Sequence, residues 1–95
     1  MIEKADVVIS LKGRDKGRML IVVGTEDEYS LIADGKGRRI DNPKRKKNKH
    51  LKLEEKVEGP IVAKLNAGAK ITNNEIRRAL AEYAAAHGEN SSKEE

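Results

Sequence analysis

The residues of this chain best placed to do chemistry are its cations. Residues 36–52 hold nine bases (Lys36, Arg38, Arg39, Lys44, Arg45, Lys46, Lys47, Lys49 and Lys52) against one acid, Asp41. A second window, 12–18, holds Lys12, Arg14, Lys16 and Arg18 against Asp15. The two windows together carry +11 in a chain whose net charge is +4, so the remainder is net acidic. A protein that needed charge only for solubility would intersperse its signs. Segregation of one sign points to a polyanion partner. The 44–49 run alone would also suit a solvated loop, but two basic windows flanking a structured core weigh against that reading.

Other chemistries find less support. There is no Cys, which excludes a disulfide scaffold, a thiolate zinc site and a cysteine nucleophile. His50 and His87 lie in different elements without Cys or carboxylate partners at ligand spacing, so no metal is expected. Glu26-Asp27-Glu28 reads as an acidic turn rather than a cation site. Gly35-Lys36-Gly37 is too short to cradle a phosphate at a helix start, and Ser10 and Ser30 have no recognisable base. Neither an enzyme nor a cofactor is expected.

The aromatic content narrows the kind of recognition. There is no Phe or Trp, and only Tyr29 and Tyr83. Tyr29 alone makes no stacking platform, so base-by-base reading of single strands is not expected. Recognition of the shape and backbone of a folded nucleic acid fits better, with Lys and Arg neutralising phosphates. Arg forks and stacks, which favours Arg14, Arg38, Arg39 and Arg45 over Lys for defined contacts. The same shortage argues against an aromatic cage for methylated lysine.

These residues must be positioned by short elements. Val7–Leu11, Met19–Val23 and Tyr29–Ala33 have strand length and composition. Asp34-Gly35-Lys36-Gly37 is a hairpin signal, which makes Arg38-Arg39-Ile40 a fourth strand. His50–Leu53 alternates as a fifth. Asn42-Pro43 breaks the fourth strand, and Lys44–Lys49, lacking any apolar residue, reads as an exposed loop. Strands this short, joined by tight turns, predict a small antiparallel barrel over 1–53. Residues 54–58 read as a charged linker. Pro60 suits the start of a short helix lined by Ile61, Val62 and Leu65 and stopped near Gly68, though a strand over 61–65 fits nearly as well. Thr72-Asn73-Asn74-Glu75 is a capping box. Ile76, Ala79, Leu80, Tyr83 and Ala84 then follow helical spacing, with Gly88 as terminator. The segment 54–88 is thus a linker with a helical extension, and 89–95 reads as a polar, disordered tail.

The loop between the first two strands is bracketed by Gly13 and Gly17. Both can adopt backbone angles that other residues resist and so bring N–H groups near a ligand. A plain hairpin with charged tips fits this loop chemistry equally well. With Gly13-Arg14-Asp15-Lys16-Gly17, the Met19–Val23 run and the Tyr29–Ala33 strand, residues 7–34 resemble a KOW motif, a strand–loop–strand segment of ribosomal proteins and transcription elongation factors. Gly17 matches its characteristic glycine. Leu31-Ile32-Ala33-Asp34-Gly35 and then Pro43–Leu51, ending in Lys-Asn-Lys-His-Leu, extend the likeness. Over about residues 5–53 the chain is similar to the KOW-domain family containing archaeal and eukaryotic large-subunit ribosomal protein fourteen, and especially to its small bacterial relatives.

The resemblance implies a mainly β, SH3-like barrel that binds ribosomal RNA, through the bases of both windows and His50. The expected partner is therefore the ribosome, in particular its large subunit. A second reading makes the chain a protein-interaction module for a translation or transcription factor, acting through its acidic remainder or C-terminal helix. Binding to nucleic acid in general, DNA included, is a third. No apolar run is long enough to span a membrane and residues 1–6 show no signal pattern. A cytoplasmic monomer is the expectation.

Overall fold

The computed structural model describes residues 1–57 and 59–86. It contains five strands, β1 (Asp6–Ser10), β2 (Met19–Glu26), β3 (Tyr29–Ala33), β4 (Lys44–Lys47) and β5 (Leu51–Lys56), followed by helices α1 (Pro60–Ala67) and α2 (Asn73–Ala86). All strands are antiparallel neighbours in the order β4-β3-β2-β1-β5. A single 3-10 turn, Asn48–His50, connects β4 directly to β5, the opposite edge of the sheet. In a flat sheet of five strands those edges would lie about 19 Å apart. The four residue steps from Lys47 to Leu51 reach at most about 15 Å. The sheet must therefore curl, and it does so without closing.

The apolar runs explain why both faces of the sheet are dry. Val8, Leu20, Val22, Ile32 and Leu51 form the core inside the curl. Val7, Ile21 and Ala33, one residue out of phase, face the other way and meet Ile61 and Leu65 of α1 and Ile76 and Tyr83 of α2. The register keeps these sets apart, pairing Val8 with Leu20 and Val7 with Ile21. Continuous apolar strands are what burial on both faces requires. β2 runs three residues beyond Val23 because the register shifts between Val22 and Gly24, leaving Val23 as the extra residue of a bulge.

Several expectations need correction. Arg38-Arg39-Ile40 is not a strand. The Asp34 carboxylate accepts from the Lys36 and Arg38 amides, each at 2.9 Å, and the Asn73 side chain captures the Ile40 amide at 2.7 Å. The amides that a ladder would use are diverted. The fourth strand is instead Lys44–Lys47, read from the sequence as part of a loop. An edge strand needs no apolar residue of its own, and a row of charges protects it from further pairing. For the same reason Glu54-Glu55-Lys56 extends the fifth strand rather than forming a linker. Lys56 is pinned by Asp6 at 2.7 Å and Glu3 at 3.0 Å.

The helices follow the sequence closely. Gly68 takes the left-handed conformation and its amide bonds the Leu65 and Lys64 carbonyls, closing α1. Thr72 Oγ1 accepts the Glu75 amide at 3.1 Å, and Glu75 accepts the Thr72 amide at 2.9 Å. The α2 stripe is covered by the chain's own sheet: Ile76 and Tyr83 are buried and Leu80 packs beside them. Sheet and helices meet in the cluster that holds Val7, Ile21, Ile61, Ile76 and Tyr83. Gly88 and the 89–95 tail lie outside the described residues. No helix among those described is long and apolar enough to cross a membrane.

Candidate nucleic-acid interface

The loop between β1 and β2 is closed at its base by backbone bonds. Ser10 N donates to Arg18 O at 3.0 Å and Gly17 N to Ser10 O at 2.7 Å. Gly13 and Gly17 both have positive φ, +83° and +86°. The turn leaves Lys12, Arg14, Lys16 and Arg18 exposed and folds the one acid, Asp15, inward to 4% exposure.

Lys46 carries the second window to this loop. Its Nζ donates to the Lys12 carbonyl at 2.6 Å and to Ser10 Oγ at 3.0 Å, while Ser10 Oγ itself donates to the Lys12 carbonyl. The register explains the reach. Lys46 pairs with Ser30, a buried position inside the curl, so its stem enters the end of the curl before the ammonium meets the loop. Asn48 fixes the following turn: its amide donates to Glu28 O at 2.8 Å and its side chain accepts from Ser30 Oγ. Leu11 N donates to His50 O at 2.9 Å, tying that turn to the same loop.

His50 registers the convergence. Partial burial first, then the positive charges of Lys12, Lys49, Lys47 and Lys46, hold its pKa below the ordinary histidine value. Bases from two distant stretches of the sequence therefore act on one imidazole. Lys44, Lys47, Lys49, Arg14 and Lys16 have no acidic partner among the described residues. Unpaired cations of this kind are suited to neutralising phosphates.

The other sequence-identified bases sit differently. Arg38 Nε lies 2.9 Å from Asp15 Oδ2, and Arg18 reaches both Asp15 and Asp34 at 3.5 Å. These two arginines are held in an internal ion-pair network. Lys36 is exposed in the adjoining turn, beside an open cavity of about 530 Å³ between that turn and α2. Arg39 lies 3.9 Å from Asp41 and Lys52 lies 3.4 Å from Glu54, both exposed. Arg45 spans the β4–β3 edge, with Nε 2.8 Å from Glu26 Oε1 and its guanidinium carbon 3.6 Å from the Tyr29 ring centre.

The composition could not reveal the organising partners Ser10, Asp15, Asp34 and Asn48. The single acid inside the first window, Asp15, was the only available sign. Tyr29 is also not alone, because Arg45 covers its ring. No protein-family model matches the chain, and no curated protein matches it.

Proposed function

We propose that this protein is an RNA-binding module that docks on ribosomal RNA through the surface shared by the β1–β2 loop, β4 and the Asn48–His50 turn. The observation that carries this reading is the bond from Lys46 Nζ to the Lys12 carbonyl, which brings part of the second basic window against the first. That surface is positively charged, largely unpaired and fixed on a rigid sheet edge. It can follow a phosphate backbone without reading sequence. The acidic turn Glu26-Asp27-Glu28 borders it at the β2–β3 end and would repel phosphates there, giving the bound RNA a preferred side.

The reading is consistent with a KOW-type, SH3-like barrel. A curled sheet whose two edge strands are joined by one short 3-10 turn suits such a barrel. The Gly13 to Gly17 loop lies between β1 and β2, which supports this reading. The deciding experiment is sedimentation of cell lysate through sucrose at low and high salt. The protein should travel with ribosomes or large subunits at low salt and be released as salt rises, since each phosphate contact releases a counterion. Protein found only at the top of the gradient at low salt overturns the proposal.

A further inference from the structure

We propose that the outer face of the Arg45 guanidinium is a stacking position for one unpaired RNA base. This rests on the RNA-binding reading above and adds a contact that phosphate neutralisation alone does not supply. Arg45 Cζ stands 3.6 Å above the Tyr29 ring centre, a distance of direct contact between two planar groups. Glu26 Oε1 holds Nε at 2.8 Å, so the guanidinium is braced from the side as well as from below. The Arg45 side chain is nevertheless 55% exposed, which leaves the plane accessible from solvent. The guanidinium of an arginine is itself a flat surface on which a nucleobase stacks.

Its neighbours orient a nucleotide. Lys47 pairs with Tyr29 across the β3–β4 ladder and shares its face of the sheet. Lys47 is therefore placed to meet the phosphate beside a base stacked on Arg45. The open hollow lined by Glu26, Asp27, Glu28, Tyr29 and Arg45 is acidic, and Lys47 also lies beside Asp27 and Glu28. Lys47 offers a cation to the flanking phosphate, while the acidic turn disfavours phosphate over the arginine itself, so the base rather than the backbone turns toward it. A bulged or loop nucleotide can do this, whereas a base stacked inside a duplex cannot. The ligand class is thus structured RNA with an extruded base, beyond shape recognition alone.

The test uses the full chain and two RNA hairpins of identical stem, one with a single 2-aminopurine bulge and one without. The parent should bind the bulged hairpin more tightly and change its 2-aminopurine fluorescence. Arg45→Lys keeps the charge but removes the plane, and Tyr29→Leu removes the brace. Each should weaken binding to the bulged hairpin by about tenfold, within the range of a base–aromatic stack, and weaken binding to the unbulged hairpin far less. The slope of affinity against salt should stay at the parent value for Arg45→Lys. Equal losses on both hairpins, or no loss on the bulged one, would overturn the stacking site while leaving phosphate binding intact. Failure of the parent to bind either hairpin would overturn the RNA-binding reading itself.

Discussion

Asp15 Oδ2 lies 2.9 Å from Arg38 Nε, joining the middle of the first basic window to the second through a carboxylate that is almost wholly buried. Arg18 leans on the same acid at 3.5 Å. The pair is structural, since it locks the β1–β2 loop to the 34–38 turn. Asp15→Asn should therefore lower stability by roughly 1–3 kcal/mol, the range of a hydrogen bond to a charged group, with the lower part favoured because Arg38 is partly solvated. RNA affinity should not fall, because the change releases two arginines rather than removing one. Chemical denaturation and RNA titration of the same variant separate the two effects. A drop in affinity at unchanged stability would place Asp15 in the binding surface.

Two glycines separate conformational strain from collision. Gly17 has φ +86° with open space where a Cβ would stand. Gly35 has φ +80°, and a Cβ there would lie 2.5 Å from the Asn73 carbonyl and 2.8 Å from Arg77 Cγ. Arg77 also donates to the Gly35 carbonyl, so α2 is seated directly on this turn. Gly17→Ala should cost on the order of 1 kcal/mol, the left-handed penalty alone. Gly35→Ala adds overpacking and should cost on the order of 3 kcal/mol. Thermal midpoints of the two variants provide the comparison. Equal losses would mean that the α2 seat yields freely.

How far the sequence could be read differs by element. β1, β2, β3 and α2 were legible because their own side chains carry the signal: apolar runs buried on both faces, and a Thr72–Glu75 cap ahead of Ile76 and Tyr83. β4 and the end of β5 were not, because an edge strand is defined by the backbone it pairs with, and Lys44–Lys47 pairs with Tyr29–Ile32. The site was legible as a count of bases but not as a division of labour. Arg18 and Arg38 look identical to Arg14 and Arg45 in composition. Only the fold brings Asp15 and Asp34 to the first two and Tyr29 to Arg45.

RNA binding at the proposed surface should depend on pH through His50. Its pKa is lowered from an ordinary value of 6.5 by partial burial and by Lys12, Lys49, Lys47 and Lys46. The folded chain therefore binds a proton less readily than the unfolded chain. Its contribution to stability is complete above the unfolded value and is lost as pH falls through that value toward the folded one. A bound polyanion would screen the four lysines and raise the His50 pKa, so RNA binding should take up protons. Affinity should rise as pH drops from about 7 to about 6, around the ordinary histidine pKa, and His50→Gln should abolish that rise. An NMR titration of the His50 ring with and without RNA measures the shift directly. A pKa that RNA leaves unmoved would show that phosphates do not approach this turn.

The lysines of β4 and the following turn should divide into two kinds. Lys44, Lys47 and Lys49 have no acidic partner among the described residues, whereas Lys46 is bonded to the Lys12 carbonyl and Ser10 Oγ. Replacing Lys44, Lys47 and Lys49 by Ala should leave the thermal midpoint near the parent's, since surface charges away from structural contacts contribute little to folding. RNA affinity should fall, and the slope of log affinity against log salt should drop by roughly one unit for each phosphate no longer neutralised. Lys46→Ala should behave differently. It removes a cation and also the tie between the two windows, so it should cost about 1 kcal/mol of stability, the worth of an ordinary hydrogen bond. Lys70→Ala with Arg78→Ala serves as the control, because both are exposed bases outside the two windows. The control should lower the salt slope far less than the three-lysine variant. If both variants lower it equally, net charge rather than this surface governs binding. If neither does, the surface is not where RNA sits.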